Sequence, residues 1–223
     1  MATRIVRDAL AGSGIELVAS CGVGAYDAEA PAGLRSAELM PGARGVVVAA
    51  SAGTRLWRRF REHMDADRTR WTEAHPYDAF IGTTLAHADE ALGRAGVRFR
   101  RFDAAFEAPV RLSFIALARL VGLGEPAPFM LAIHSTHGAW WALRGAWLVD
   151  VEVDPPLVDV PPCRGCPAPC VGGWENAGGI DRATPEARAR CVVGQPSRYD
   201  DDQIAYHYDR EAAVRRFLQK SPS

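Results

Sequence analysis

Six consecutive residues, Gly45-Val46-Val47-Val48-Ala49-Ala50, carry no charged or hydrogen-bonding side chain. A short β-branched run bounded by glycine is the pattern of a buried strand, and a strand with no polar face must be covered on both sides. The neighbouring patterns offer that cover. Residues 3–12 carry Ile5, Val6, Ala9 and Leu10 in a helical stripe closed by Gly12, and residues 14–18 alternate like a strand. Ser51 is placed to cap a following helix with the apolar face Leu56, Trp57, Phe60 and Met64. After the His75-Pro76 break comes a longer helix with Phe80, Ile81, Leu85, Ala88 and Leu92 on one side, ended by Gly96. Residues 97–102 alternate again. Residues 112–120 form a helix stopped by Gly122 and Gly124, and strands follow at 129–134 and 140–149. Strands and helices come in no regular βαβ order. The expected class is therefore α+β, a sandwich with a mixed or largely antiparallel sheet packed by helices.

Composition shifts after Val149. Asp154-Pro155-Pro156 and Pro161-Pro162 read as stiff extended linkers, followed by a cysteine segment, a glycine-rich stretch at 172–179 and a polar helix around 201–218. The expected organisation is a domain over 1–155 with a C-terminal extension over 156–223 packed on it. At 223 residues with 48% hydrophobic content, the chain can bury a core without covalent staples. The formal charge of −1 gives no electrostatic case for nucleic acid or an anionic membrane. Apolar runs are far too short to span a bilayer, and the first residues do not read as a signal peptide. The expected location is the cytoplasm, where five cysteines are not read as a disulfide frame.

The most specific segment is Ile133-His134-Ser135-Thr136-His137-Gly138-Ala139-Trp140-Trp141-Ala142-Leu143-Arg144-Gly145. It reads as a hairpin with two histidines at its turn, two adjacent tryptophans, and an arginine inside an apolar strand. An arginine there either snorkels to solvent or meets a partner. The run resembles the I-H-P-x-F-G-G-W-F-A-I-R-G segment of the CblC family, with His134, Gly138, Trp140, Ala142, Arg144 and Gly145 in matching places. Ser135 stands for the family proline and Ala139 for its second glycine. Residues 198–206, Arg198-Tyr199-Asp200-Asp201-Asp202-Gln203-Ile204-Ala205-Tyr206, resemble that family's R-Y-S-E-E-Q-x-A-Y.

The resemblance implies a modified flavin-nitroreductase fold with a deep pocket for cobalamin, bound with its lower base displaced. It implies removal of the upper axial ligand by reduction or by a thiol. His134, Ser135, Gly138, Trp140, Arg144 and Tyr206 would line the cofactor site. Arginines hold glutathione in the animal members, and those positions fall on Arg144 and Arg190, with a third at Arg215 or Arg216. A guanidinium fork suits a carboxylate.

Cys163-Arg164-Gly165-Cys166-Pro167-Ala168-Pro169-Cys170 has C-x2-C-x3-C spacing, and Cys191 lies further on. Turn residues between the first three let their thiolates converge on an iron–sulfur cluster or on zinc; unligated thiols are the remaining alternative. The segment resembles a reduced version of the cluster region of epoxyqueuosine reductases, whose A-G-L-G is approached by Val121-Gly122-Leu123-Gly124. The second C-x2-C-x3-C-P run is missing and Val171 replaces the proline, so one centre completed by Cys191 is expected. Cys21 reads as a buried thiol, and Gly22-Val23-Gly24 lacks the remainder of a dinucleotide fingerprint.

Three functions compete. They are a CblC-like enzyme acting on cobalamin, a cobalamin- and iron–sulfur-dependent reductase, and a carrier without turnover. The cysteine segment favours redox chemistry, with a thiol or an electron-donor protein as partner. The near-neutral charge disfavours a tRNA substrate.

Overall fold

The computed structural model describes residues 1–104, 110, 112–127, 131–158, 162–175 and 180–219, with backbone alone at 173–175 and 180–184. Its centre is a four-stranded antiparallel sheet in the order β1-β2-β6-β3: β1 (Leu17–Gly22), β2 (Gly45–Ala52), β6 (Trp141–Val149) and β3 (Phe99–Asp103). A small pair, β4 (Glu125–Pro126) and β5 (Ala132–Ile133), lies apart. The class is α+β, as expected.

β2 is covered on both faces, as its composition demands. Val47 and Ala49 pack with Trp147 and Val149 against α1 (Ala2–Ala9), α4 (Arg55–Ala66) and α5 (Pro76–Arg94). Val46, Val48 and Ala50 pack on the opposite face with Leu148, under α2 (Val23–Asp27), α3 (Ser36–Leu39) and α6 (Phe114–Leu120). Burying one such valine contributes about 1.5–3 kcal/mol. The stripes on α4 (Leu56, Trp57, Phe60, Met64) and α5 (Ile81, Leu85, Ala88, Leu92) are buried. Ser51 is not a helix cap. β2 runs on to Ala52, and α4 starts at Arg55 with no side-chain cap. The strand pairing of Ser51 with Ala142 wins over the local capping preference.

β6 pairs with β2 in an interrupted register. Ala49 faces Gly145 and Ala50 faces Leu143, which leaves Arg144 as the extra residue of a bulge. A bulge re-aims a side chain, and this one admits an arginine to an apolar strand. Cys21 is buried in β1, and burial pushes its thiol up to about 11.

The C-terminal region is more helical than its sequence suggests. α7 (Pro169–Glu175) and α8 (Ile180–Arg190) pack on each other. The expected single last helix is two, α9 (Asp201–Tyr208) and α10 (Arg210–Gln219), broken at Asp209. Residues 129–130 of the expected strand and 176–179 of the glycine-rich stretch lie outside the described residues. Among the described residues no helix is long and apolar enough to cross a membrane.

Candidate functional site

The segments 133–145 and 198–206 lie apart in sequence and meet in space. The hairpin at 134–138 closes on itself through reciprocal backbone bonds between His134 and Gly138, 2.9 and 2.8 Å. It then docks backbone to backbone on residues 193–194. Gly138 has φ +56°, and a Cβ there would stand 1.9 Å from the Val193 carbonyl oxygen. A Cβ on Gly194, φ +75°, would stand 2.1 Å from His137. Only glycines permit that approach.

Side chains extend the seam. His137 Nδ1 lies 2.7 Å from Ser197 Oγ, and burial lowers the pKa of His137. The backbone N–H of Thr136 donates to His134 Nδ1 at 3.0 Å, which places the His134 proton on Nε2. The His134 ring lies 4.6 Å from His137 and 5.5 Å from Trp141. Trp140 is buried and meets Tyr199 edge-on at 5.4 Å.

Arg144 leaves the bulge toward the α5 side. Its Nε donates to Ser51 Oγ at 2.8 Å, its Nη2 to Tyr77 OH at 3.3 Å, and the guanidinium stacks 5.2 Å from the Tyr77 ring. Burial pushes the Tyr77 phenol up to about 12, with Arg144 opposing. Arg144 also borders a small cavity of about 20 Å³ with Asp78 and Asp103. Arg188, near the end of α8, lies over Trp140 (5.6 Å) and Tyr199 (5.2 Å), and its Nη1 donates to Tyr208 OH at 3.2 Å. Among the described residues neither Arg144 nor Arg188 forms an ion pair.

His207 lies between these two arginines. Its ring faces Tyr77 at 5.6 Å, Tyr199 at 5.8 Å and Trp57 at 6.5 Å. Burial, Arg144 and Arg188 push its pKa down to about 3, so the imidazole is neutral at pH 7. Yet the residue is exposed to solvent. Its ring packs among buried aromatic side chains while part of the residue reaches the surface. The rings beside it, Trp57, Tyr77 and Tyr199, are themselves buried, and so is Arg188.

The remaining sequence-derived residues fall elsewhere. Arg190 is exposed and pairs with Glu186 at 3.9 Å, and Arg188 is the α8 arginine that packs on Trp140 and Tyr199. Arg215 pairs with Glu211 on the surface, and Arg216 is exposed. Tyr206 is buried among Trp57, Phe60 and Trp71, inside the core. Ser135 lies in the hairpin turn, half-buried. Ser51, Tyr77 and Arg188, which contact these segments, were not legible in the sequence.

The four cysteines come to one place. Cys163, Cys166, Cys170 and Cys191 line an apolar cavity of about 40 Å³ with Ile133, Pro169 and Val193. Cys163 and Cys166 share a turn (Cys166 N–H to the Cys163 carbonyl, 3.1 Å), and Gly165 adopts φ +77°. Ala168 takes φ +52°, uncommon for a residue with a Cβ, and its N–H donates to Cys166 Sγ at 3.4 Å. The Cys163 and Cys170 thiols are raised by burial first, then by the neighbouring thiols, Cys191 foremost. Without a cation these sulfurs resist ionising together. Among the described residues no group of three or more His, Cys, Asp or Glu is arranged to hold a metal ion.

No protein-family profile matches the chain, and no curated protein sequence does. Solved structures define the class: the chain has the fold shared by cobalamin-trafficking CblC and the epoxyqueuosine reductases. The B12-trafficking protein CblC of C. elegans, a homologue of human MMACHC, superposes with TM-score 0.66 at 13% identity, over 98% of this chain and 96% of that one. An epoxyqueuosine reductase matches with TM-score 0.54 at 17% identity, over 85% of this chain. The enzyme from Streptococcus thermophilus gives 0.53 at 12% identity, over 86%. The match spans 55% of each reductase chain, so this protein corresponds to about half of them.

Proposed function

We propose that this protein binds cobalamin with its lower base displaced and removes the upper axial ligand. The observation that carries this reading is the meeting of segments 133–145 and 198–206, in a fold that matches CblC over nearly its whole length; the cobalamin cleft is placed beside that seam, where His207 reaches the surface. The fold is read as a modified flavin-nitroreductase sandwich over 1–155, with 156–223 packed on it, acting in the cytoplasm.

Bound cobalamin would supply the organometallic chemistry. The chain supplies the walls. Trp57, Tyr77 and Tyr199 form the buried aromatic backing of the site, and Tyr199 packs on Trp140 of the hairpin. His207 stays neutral and can donate or accept a hydrogen bond without adding a third positive charge. Arg144 and Arg188 are offered to the carboxylates of a thiol such as glutathione, each already oriented by a tyrosine hydroxyl.

The four cysteines are assigned to one iron–sulfur centre. Zinc holds four sulfurs at about 2.3 Å in a tight tetrahedron, whereas a four-iron cluster places one thiolate on each iron and spreads them apart. Either would accept these four ligands, and the resemblance of the segment to the cluster region of epoxyqueuosine reductases tips the choice to iron–sulfur. Such a centre would pass electrons to the cleft and favours reduction over carriage.

The test is anaerobic turnover. Methylcobalamin or cyanocobalamin is incubated with protein and glutathione, or with protein and a chemical reductant, and the products are separated. Loss of the upper ligand is expected with protein and not without it. Unchanged cobalamin under every condition would leave only a carrier.

A further inference from the structure

The four cysteines are surrounded by carbon. Among the described residues, the rest of the lining of their cavity is alanine, proline, isoleucine and valine, with no carboxylate, imidazole or guanidinium. Each thiol therefore has the other thiols as its nearest reactive partners. The chemistry open to such a set is thiol–disulfide exchange.

The four are not equivalent. Cys163 is exposed, Cys166 is half-buried, and Cys170 and Cys191 are buried. Cys170 and Cys191 belong to one buried apolar cluster. Cys170 is the second residue of α7, and Cys191 follows the last residue of α8. The two helices pack on each other and are separated by four residues of sequence. Helices packed across so short a connection form an antiparallel hairpin, which sets the start of the first beside the end of the second. Cys191 is also the foremost neighbouring thiol of both Cys163 and Cys170.

The exposed thiol is open to a reagent, and the void of about 40 Å³ gives the buried sulfurs room to turn toward each other. Burial first, then mutual repulsion, raises Cys163 and Cys170. Raised thiols attack slowly near pH 7, because little thiolate is present. The same two causes favour the bonded product, since a disulfide carries no charge to bury or repel. Raised thiols also leave poorly, so the bond resists reduction once made.

We propose that this cluster is an oxidation site for a small disulfide: Cys163 takes up the reagent, Cys191 displaces it, and the bond comes to rest between Cys170 and Cys191, joining the start of α7 to the end of α8. Every step is an exchange. The Cys163 thiolate attacks the reagent and releases one small thiol. The Cys191 thiolate attacks the Cys163 sulfur and releases the second. The Cys170 thiolate then attacks the Cys191 sulfur and frees Cys163. In sum two protein thiols are oxidised, one small disulfide is reduced to two thiols, and the two protons pass to them. The site goes beyond the cobalamin reading and needs no metal. A loaded centre would occupy the same thiols, so the bond belongs to metal-free protein.

For the test, full-length protein is treated with a chelator, checked for iron and zinc, and exposed to hydroxyethyl disulfide. It is then alkylated, cut with trypsin and mapped by mass spectrometry. The four cysteines fall on the tryptic peptides 145–164, 165–182 and 191–198. Wild type is expected to link 165–182 to 191–198 within one molecule. Cys166→Ala should keep that link, Cys170→Ala and Cys191→Ala should lose it, and Cys163→Ala should form it several-fold more slowly. The wild-type rate should rise roughly tenfold from pH 7 to pH 8, as raised thiols gain thiolate. The wild-type map decides which peptides pair, so a variant that fails to fold leaves the test standing. A link that survives in Cys170→Ala would overturn the α7–α8 bond. Reagent left on Cys163 with no internal link, or links between molecules only, would overturn the site as a whole. Cobalamin turnover is read separately, and none of these outcomes bears on it.

Discussion

Gly138→Ala tests whether the hairpin's docking on residues 193–194 builds the site. Two costs add. Alanine at φ +56° takes a left-handed conformation, about 1–2 kcal/mol. Its Cβ would stand 1.9 Å from the Val193 oxygen, so backbone must separate from backbone, and overpacking of that kind costs about 1–3 kcal/mol. The sum is about 2–5 kcal/mol, a fall in Tm of roughly 4–20 °C for a chain of this size. Gly12→Ala is the control, because φ there is +75° with nothing within 4 Å of the added carbon. It carries the first cost alone. Thermal and urea unfolding followed by circular dichroism measure both variants. Gly138→Ala should lose clearly more than Gly12→Ala, and its affinity for any cleft ligand should fall as Trp140 and Arg188 lose their shared seat. Equal losses for the two variants would show that the seam at 193–194 yields freely, and the reasoning that joins the two segments would fail.

Other outcomes follow from the cleft. His207 has a folded pKa well below the unfolded value near 6.5. The unfolded chain therefore takes up this proton first, and the stability present above pH 6.5 declines as pH falls from there toward 3. His207→Gln should flatten part of the slope in urea midpoints measured between pH 7.5 and 5; an unchanged slope would count against an enclosed, neutral imidazole. Arg144→Ala should slow thiol-dependent dealkylation more than it weakens cobalamin binding, by roughly tenfold or more if one charge-assisted contact is lost. Equal loss of both, with lower Tm, would mark Arg144 as a folding residue tied to Ser51 and Tyr77. Trp147→Phe removes the 2.7 Å bond from its indole to Asp89 and leaves that half-buried carboxylate with Arg101 alone, costing about 1–3 kcal/mol in urea unfolding.

The sheet was readable because apolar periodicity reports burial directly. The runs at 45–50 and 140–149 became β2 and β6, the α4 stripe is buried throughout, and the α5 stripe is buried except for Phe80, which is half-buried. The bulge at Arg144 was not readable, since nothing in the residue order of β6 shows where β2 slips by one. α7 and α8 were hidden by composition: α7 contains two adjacent glycines and α8 has Pro185 inside it, residues that speak against helix. Missing α8 also hid the geometry of its arginines. Residues 188 and 190 are two apart on a helix and point to different sides, so a motif carried to Arg190 lands on solvent while Arg188 packs on Trp140 and Tyr199. His207 lies between Tyr206 and Tyr208 on α9, and its place beside Arg144 and Arg188 emerges only when the hairpin brings the two segments together.

The central claim is that the cleft holds cobalamin, and it is tested most directly by a spectral titration. Methylcobalamin and cyanocobalamin are held at fixed micromolar concentration while anaerobic protein is added, and the visible spectrum is recorded at each step. The expected result is a blue shift to the base-displaced form that saturates with protein and is weakened in Gly138→Ala. A cobalamin spectrum that stays unchanged through excess folded protein would contradict the account.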